Sequence, residues 1–167
     1  MPPNRVMFTS PQSRVVAIYI APSAAVLPTA REQVRALAGQ GLENDRYCVG
    51  GGTWSHWPGT GRQVTLIDGK VVDSLARDMP VTAAQLRRNL VVDGVDLDGL
   101  IGQRFKVGSA ELVGVRPCEP CAHIEQLSAR GLCAALKGRG GLRADITSGG
   151  LIRVGDRVQY IPGNASS

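Results

Sequence analysis

Residues 87–118 read RRNLVVDGVDLDGLIGQRFKVGSAELVGVRPC. This stretch decides the fold class. NLVVDG, RFKVG and AELVGV are short apolar runs set among glycine-rich turns, and runs this brief suit strands better than helices. The texture continues on both sides, with VVAIYI and RQVTLI upstream and LRADIT and DRVQY downstream. Seven such pieces, some alternating and some continuous, predict a mainly β sheet or barrel. The 21 glycines and 10 prolines supply its turns.

Helices are expected to be few. Thr29-Ala-Arg-Glu32 has the form of a capping box, and Val34, Leu37 and Ala38 continue it as a helix ended by Gly39 and Gly41. A second helix is expected from Lys70 to Asp78, stopping before Pro80. Thr82-Ala-Ala-Gln85 caps a short third, and a fourth covers Leu132 to Lys137.

A chain of 167 residues, 43% hydrophobic and 20% charged, fits one soluble globular domain. The expected organisation is a flexible segment at 1–13, a β-barrel domain at 14–161 and a flexible tail at 162–167. No stretch approaches the ~20 apolar residues needed to span a bilayer, so no membrane partner is expected. The run VVAIYIAPSAAVLPTA loosely imitates a secretory signal, but VVAIYI reads as a buried strand and Pro22 and Pro28 punctuate the loop after it. Four cysteines at irregular spacing suggest no disulfide framework, which points to a reducing, cytoplasmic setting. The net charge is +5, carried largely by arginines scattered along the chain. Aromatics at 4% are too few for base stacking, so nucleic acid is not an expected partner. Arginine's alternative use is bidentate recognition of phosphate.

Three stretches carry candidate chemistry. GLENDRYCVGGGTWSHWPGTGRQ, residues 41–63, holds both tryptophans, Trp54 and Trp57, with His56 between them in a glycine-dense surface segment. Such aromatics either cover a ligand or fold back onto the core. The adjacent arginines of RRN form an anion site with Arg46 and Arg62, or else a solvated corner. The third is RPCEPCAHIE, residues 116–125, with Cys118 and Cys121 in a C-x-x-C. A lone C-x-x-C is half a zinc site, a redox pair or a cofactor ligand. Zinc would have to recruit Cys48, His56, His123 or Cys133 irregularly. Pro117 and Pro120 are expected to stiffen and expose the loop, and Arg116 favours a thiolate.

At these same places the chain resembles the MOSC family, the domain named for the C-terminal part of molybdenum-cofactor sulfurases. The matching elements occur in order: GLENDRY with GTW, GRQVTLI, RRNLVVDGVDLDGLIGQRFKVGSAEL, the C-x-x-C loop, and GLRADITSGGLIRVGD. They cover roughly residues 14–160. The resemblance implies a MOSC-type β-barrel and the molybdenum cofactor, molybdopterin, a pterin whose dithiolene sulfurs hold molybdenum and whose tail ends in phosphate. It puts the retained cysteine on Cys121, as metal ligand and catalytic residue or as sulfur acceptor, and makes Cys118 a supporting residue. It places the R-x-N element on Arg87 and Asn89, for phosphate and pterin, the D-R pair on Asp45 and Arg46, and the basic residue opening the next strand on Arg62. It gives the segment of Trp54 and His56 a cofactor to cover.

The implied activity is an oxidoreductase removing oxygen from small N-hydroxylated substrates. The sequence carries no nucleotide-binding glycine fingerprint, so a separate reductase is the expected electron donor. The alternatives are a sulfur or cofactor carrier using a Cys121 persulfide, fed by a sulfur donor protein and resolved by Cys118, or a non-catalytic interaction domain with a structural or zinc-bound C-x-x-C.

Overall fold

The computed structural model describes residues 8–48, 61–120, 124 and 129–163. These residues are mainly β with two short helices. The chain opens with β1 (Arg14–Ile20), β2 (Thr29–Arg31), β3 (Gln33–Leu37) and β4 (Gly41–Leu42). Next come β5 (Val64–Asp68), α1 (Gly69–Asp78), β6 (Leu90–Asp93), β7 (Arg104–Val107) and β8 (Ala110–Pro117). After α2 (Leu132–Leu136), the chain ends in β9 (Leu142–Ser148), β10 (Gly150–Arg153) and β11 (Val158–Tyr160). Single 3-10 turns at Ala84–Leu86 and Asp98–Leu100 fill the connections.

Eight strands make one sheet in the order β11-β7-β8-β9-β5-β6-β1-β2, and β10-β3-β4 make a second. Every pairing is antiparallel except β5 with β6. A parallel pair needs a crossover, and α1 is part of it. Its N-cap is Asp68, which accepts from Lys70 N at 2.9 Å, and it packs Val72 and Leu75 inward before Pro80.

Alternation along each strand separates two cores. Val64 and Leu66 of β5, Leu90 and Val92 of β6, and Leu142, Ala144 and Ile146 of β9 point inside with Phe105 and Leu112. The second sheet closes over this interior with Val34, Ala36, Leu42 and Ile152. Ile67 and Val91 point outward and are covered by Val72 and Leu75 of α1, Leu132 and Leu136 of α2, and Ile124.

The sheet curls without closing as a ladder. Bulges shift the register between Val15 and Ala17 on β1 and at two places on β8, which bends and twists the strands. Arg14 then meets Arg157 in one isolated bridge, supported by Val15 N donating to Asp156 O at 2.9 Å and Val158 N to Ser13 O at 3.1 Å. The expected barrel is therefore corrected to a curled sheet: β11 has its ladder with β7 and gives β1 only this bridge. Residues 8–13 run along the sheet, with the Phe8 ring edge-on to Tyr160 at 4.9 Å and Phe8 O accepting from Asp96 N.

The helix expected from the Thr29–Glu32 capping box is also corrected. Residues 29–31 and 33–37 are strands, β3 lying between β10 and β4. Within 33–37 burial alternates, Val34 and Ala36 in and Gln33 and Arg35 out, so tertiary pairing overrides the local cap signal. The cap at Thr82 and Gln85 does form, Thr82 N donating to Gln85 Oε1 at 2.8 Å, but it opens only a 3-10 turn. The helices expected at 70–78 and 132–137 are present as α1 and α2. No helix among the described residues is long and apolar enough to cross a membrane.

Gly141 locks the start of β9. Its φ of +107° is unfavourable for any side chain, a Cβ there would collide with Leu66 O, and its own O accepts from Cys118 N at 2.8 Å. Gly141→Ala is expected to lower unfolding free energy by about 2–4 kcal/mol in denaturant titration, the sum of backbone strain and overpacking.

Candidate active site

The register sets five residues in one row across the outer face of the sheet. Arg116 of β8 is opposite Arg143 of β9, which is opposite Thr65 of β5. The β5–β6 and β1–β6 registers carry the row on through Asn89 to Tyr19. Side chains in one row share a face. This row continues the outer face beyond the patch covered by the helices.

Asn89 is the structural centre of the row. Its Oδ1 accepts from Thr65 N at 3.0 Å and Thr65 Oγ1 at 3.2 Å, while its Nδ2 donates to Tyr19 O at 3.1 Å. Asn89 N donates to Thr65 Oγ1 at 2.9 Å. The side chain thus ties β1, β5 and β6 together where the β6 ladder begins.

The two arginines before it point to opposite sides. Arg87 has φ +59°, a left-handed conformation that costs energy in any residue but glycine and that turns the chain sharply into β6. Its guanidinium donates to Val26 O at 2.7 Å and Ser23 O at 3.3 Å, holding the β1–β2 loop. Arg88 reaches the other way, to Gly140 O at 2.7 Å, Leu86 O at 3.2 Å and Cys118 O at 3.4 Å.

Arg46 joins the first side. It donates to Arg87 O at 3.2 Å, lies 3.4 Å from Asp45 Oδ1 and stacks over the Tyr47 ring at 4.5 Å. Asp45 is fully buried; Oδ1 also accepts from Ala21 N at 3.0 Å, and Oδ2 has no hydrogen-bond partner among the described residues. Arg46 therefore links the buried carboxylate of Asp45 to the backbone of the equally buried Arg87. Burial, then the Arg46 charge, depress the proton affinity of Arg87.

Arg62 precedes β5 and stands beside the Arg116–Arg143 pair; burial, then Arg143 and Arg62, lower the Arg116 pKa. Among the sequence candidates, then, Arg46 and Arg87 meet, Arg62 lies with Arg116 and Arg143, and Asn89 spans the strands between. Cys118 is 1% exposed, its N held by Gly141 O and its O by Arg88. The expectation of an exposed loop is corrected at this residue: Pro117 and Glu119 face solvent while Cys118 turns inward. Cys121, Trp54, Trp57, His56 and His123 lie outside the described residues.

Sequence reasoning named Arg88 as half of the RR pair and passed over Thr65 and Arg143. Those two needed the strand register, which the sequence does not show.

Among the described residues no three His, Cys, Asp or Glu side chains gather as a metal site. Cys48 and Cys118 are free thiols. Burial, then the charges of Asp45 and Glu43, push the Cys48 pKa up. With the thiolate disfavoured at neutral pH, Cys48 should alkylate with iodoacetamide more slowly than a free cysteine at pH 8, and the deficit should narrow as pH rises. Asn89→Ala leaves the Thr65 amide and the Tyr19 carbonyl without partners, so a loss of about 2–4 kcal/mol is expected by denaturant titration.

Comparison with known proteins completes the description. The MOSC domain family matches residues 53–159. Among solved structures, the YUAD protein from Bacillus subtilis superposes with a TM-score of 0.69 at 18% identity, covering 89% of this chain and 94% of that one. YiiM from Geobacillus stearothermophilus gives 0.67 at 17% identity over 92% and 77% of the two chains. YiiM from Escherichia coli gives 0.67 at 16% identity over 92% and 71%. No curated protein matches. At these identities the structures show a common fold, and the family match spans the β5–β6 unit, the RRN corner and the Cys118 loop: the chain belongs to the MOSC domain family.

Proposed function

We propose that the chain binds the molybdenum cofactor on the outer polar row and acts as an oxidoreductase that removes oxygen from N-hydroxylated substrates, taking electrons from a separate reductase. The observation that carries this reading is the excess of positive charge around the RRN corner of a MOSC domain, beside the loop bearing Cys118. The residues present fit an anionic, phosphate-bearing group. Arg46 pairs with Asp45 and bonds the Arg87 carbonyl, Arg62 stands with two further arginines, and Asp45 Oδ2, with no partner among the described residues, is an acceptor suited to a ring N–H donor.

In this reading Cys121 supplies the thiolate and Arg62 and Arg46 supply positive charge for the phosphate. Arg87 contributes charge from its place against the β1–β2 loop, and turning toward an anion requires it to release Val26 O and Ser23 O. Asn89 acts by holding β1, β5 and β6 in register beneath the cofactor, with its amide oxygen already engaged twice by Thr65. Arg88 holds Cys118, on the chain that leads to Cys121. When bound, the group supplies the two-electron oxygen-transfer chemistry that no side chain of this protein provides.

A sulfur-carrier role for the same loop asks Cys118 to attack a persulfide on Cys121. Burial of Cys118, pinned at its N by Gly141 and at its O by Arg88, favours a supporting role for this thiol instead.

Expression in molybdenum-sufficient cells followed by metal and pterin analysis tests the reading. Arg46→Ala and Arg87→Ala are each expected to lower cofactor retention by about one to two decades, the worth of a charge-assisted contact. Arg31→Ala and Arg35→Ala, exposed on β2 and β3, serve as controls. With a reductase and an N-hydroxylated base, Cys121→Ser should abolish turnover. Cys118→Ala should keep most of it, whereas Cys118→Ser buries a hydroxyl and loses about 1–3 kcal/mol of stability. Stoichiometric zinc without molybdenum, or equal pterin content in all four arginine variants, would sink the proposal.

A further inference from the structure

The Arg116–Arg143 pair sets like charges opposite each other within a continuous ladder, as the isolated Arg14–Arg157 bridge does at the seam. Like charges directly opposite on neighbouring strands are destabilising, and one ladder away Glu111 is opposite Lys106 and takes a diagonal contact of 2.8 Å from Arg104. Arg116 and Arg143 are register partners of the same sign, and no salt bridge among the described residues includes either.

Arg62 is held against this pair by its neighbour. Gly61 has φ +81°, and a Cβ there would lie 3.3 Å from the Cβ atoms of both Arg143 and Val115, so the backbone itself docks on β8 and β9. Gly61 N donates to Asp145 Oδ1 at 2.7 Å, and Arg143 NH1 reaches Gly61 O at 3.5 Å. The nearby carboxylate, Asp145, is thus engaged with backbone and offsets only part of the charge of the Arg116–Arg143 pair.

We infer that Arg62, Arg116 and Arg143 form one anion site for the dianion of a phosphate monoester. Guanidinium forks on adjacent strands match the oxygens of phosphate, and a dianion offsets the repulsion that the register imposes. The depression of Arg116 by Arg143 and Arg62 agrees with the closeness that this geometry implies. The arrangement makes this triad, rather than Arg87 with its two carbonyl contacts, the main phosphate holder. The site stands on register and charge; taking its ligand to be the cofactor's tail rests on the function proposed above.

The test is calorimetric titration of the full chain with methyl phosphate at fixed ionic strength in chloride, beside thermal unfolding in chloride alone. Arg116→Gln and Arg143→Gln are each expected to weaken methyl phosphate binding tenfold or more. They should also unfold at the same temperature as the parent or higher, because repulsion has been removed. Arg153→Gln, exposed on β10, should change neither. Unchanged binding in both row variants, or an equal loss in Arg153→Gln, overturns the site. Should Arg116→Gln fail to fold, Arg143→Lys keeps the charge and drops the fork, and an affinity equal to the parent's overturns it as well.

Pterin content of the same variants from molybdenum-sufficient cells separates the two ideas. A fall in both row variants assigns the site to the cofactor's tail. Pterin kept while methyl phosphate binding is lost assigns it to a free phosphate ester and leaves the cofactor reading standing. Methyl phosphate binding in a parent protein that never carries pterin keeps the site and removes that reading.

Discussion

The side-chain amide of Asn89 is the constraint on which the rest of this structure depends. At the head of β6 the sheet passes from antiparallel pairing with β1 to parallel pairing with β5, and the two patterns present backbone groups at different spacings. Asn89 closes the difference by accepting from Thr65 on one side and donating to Tyr19 on the other. An amide can do this because it carries donors and an acceptor at one end of a short stem. Tyr19, Thr65 and Asn89 sit on or at the ends of these three strands, and Arg62 and Arg87 lie in the loops that enter β5 and β6.

The corner before Asn89 distributes charge. A left-handed residue at Arg87 sends two neighbouring guanidinium groups apart, one to the β1–β2 loop and Arg46, the other to Gly140 and the Cys118 loop. In an ordinary extended strand the alternation of side chains would place the two on opposite faces of a single sheet. Here the turn lets them reach separate loops, so a single dipeptide couples the D-R turn to the cysteine loop. Conformational strain at one residue is offset by hydrogen bonds to backbone carbonyls on both sides.

Much of this was legible in the sequence, and the reasons differ from element to element. Short apolar runs predicted β1, β5, β6, β7, β8, β9 and β11 because alternation and glycine spacing survive folding intact. The helix before Pro80 was legible because a proline boundary acts locally. The stretch from Thr29 to Leu37 was misread because a cap-like box is a local preference, whereas pairing of β3 with β10 depends on residues more than a hundred positions away. The closed barrel failed for a related reason, since closure depends on how bulges curl the sheet. At the site, Arg46, Arg62, Arg87, Asn89 and Cys118 were visible as residue types in a pattern. Their partners were not, because Thr65, Arg143 and Gly140 become neighbours only through register.

The single bridge between Arg14 and Arg157 makes the molecule mechanically uneven. A ladder opens only if several hydrogen bonds fail together, whereas a seam held by one bridge and its flanking bonds opens in smaller steps. Opening there would free β11 from the start of β1 while the second sheet stays tied, Gly39 N donating to Ile146 O at 2.9 Å and Ser109 N to Leu151 O at 3.1 Å. Tyr19, where the polar row meets β1, is five residues along from Arg14, about 16 Å at the rise of an extended strand. The weakly bridged seam therefore lies at one end of β1, and the floor of the site, tied by Asn89, at the other.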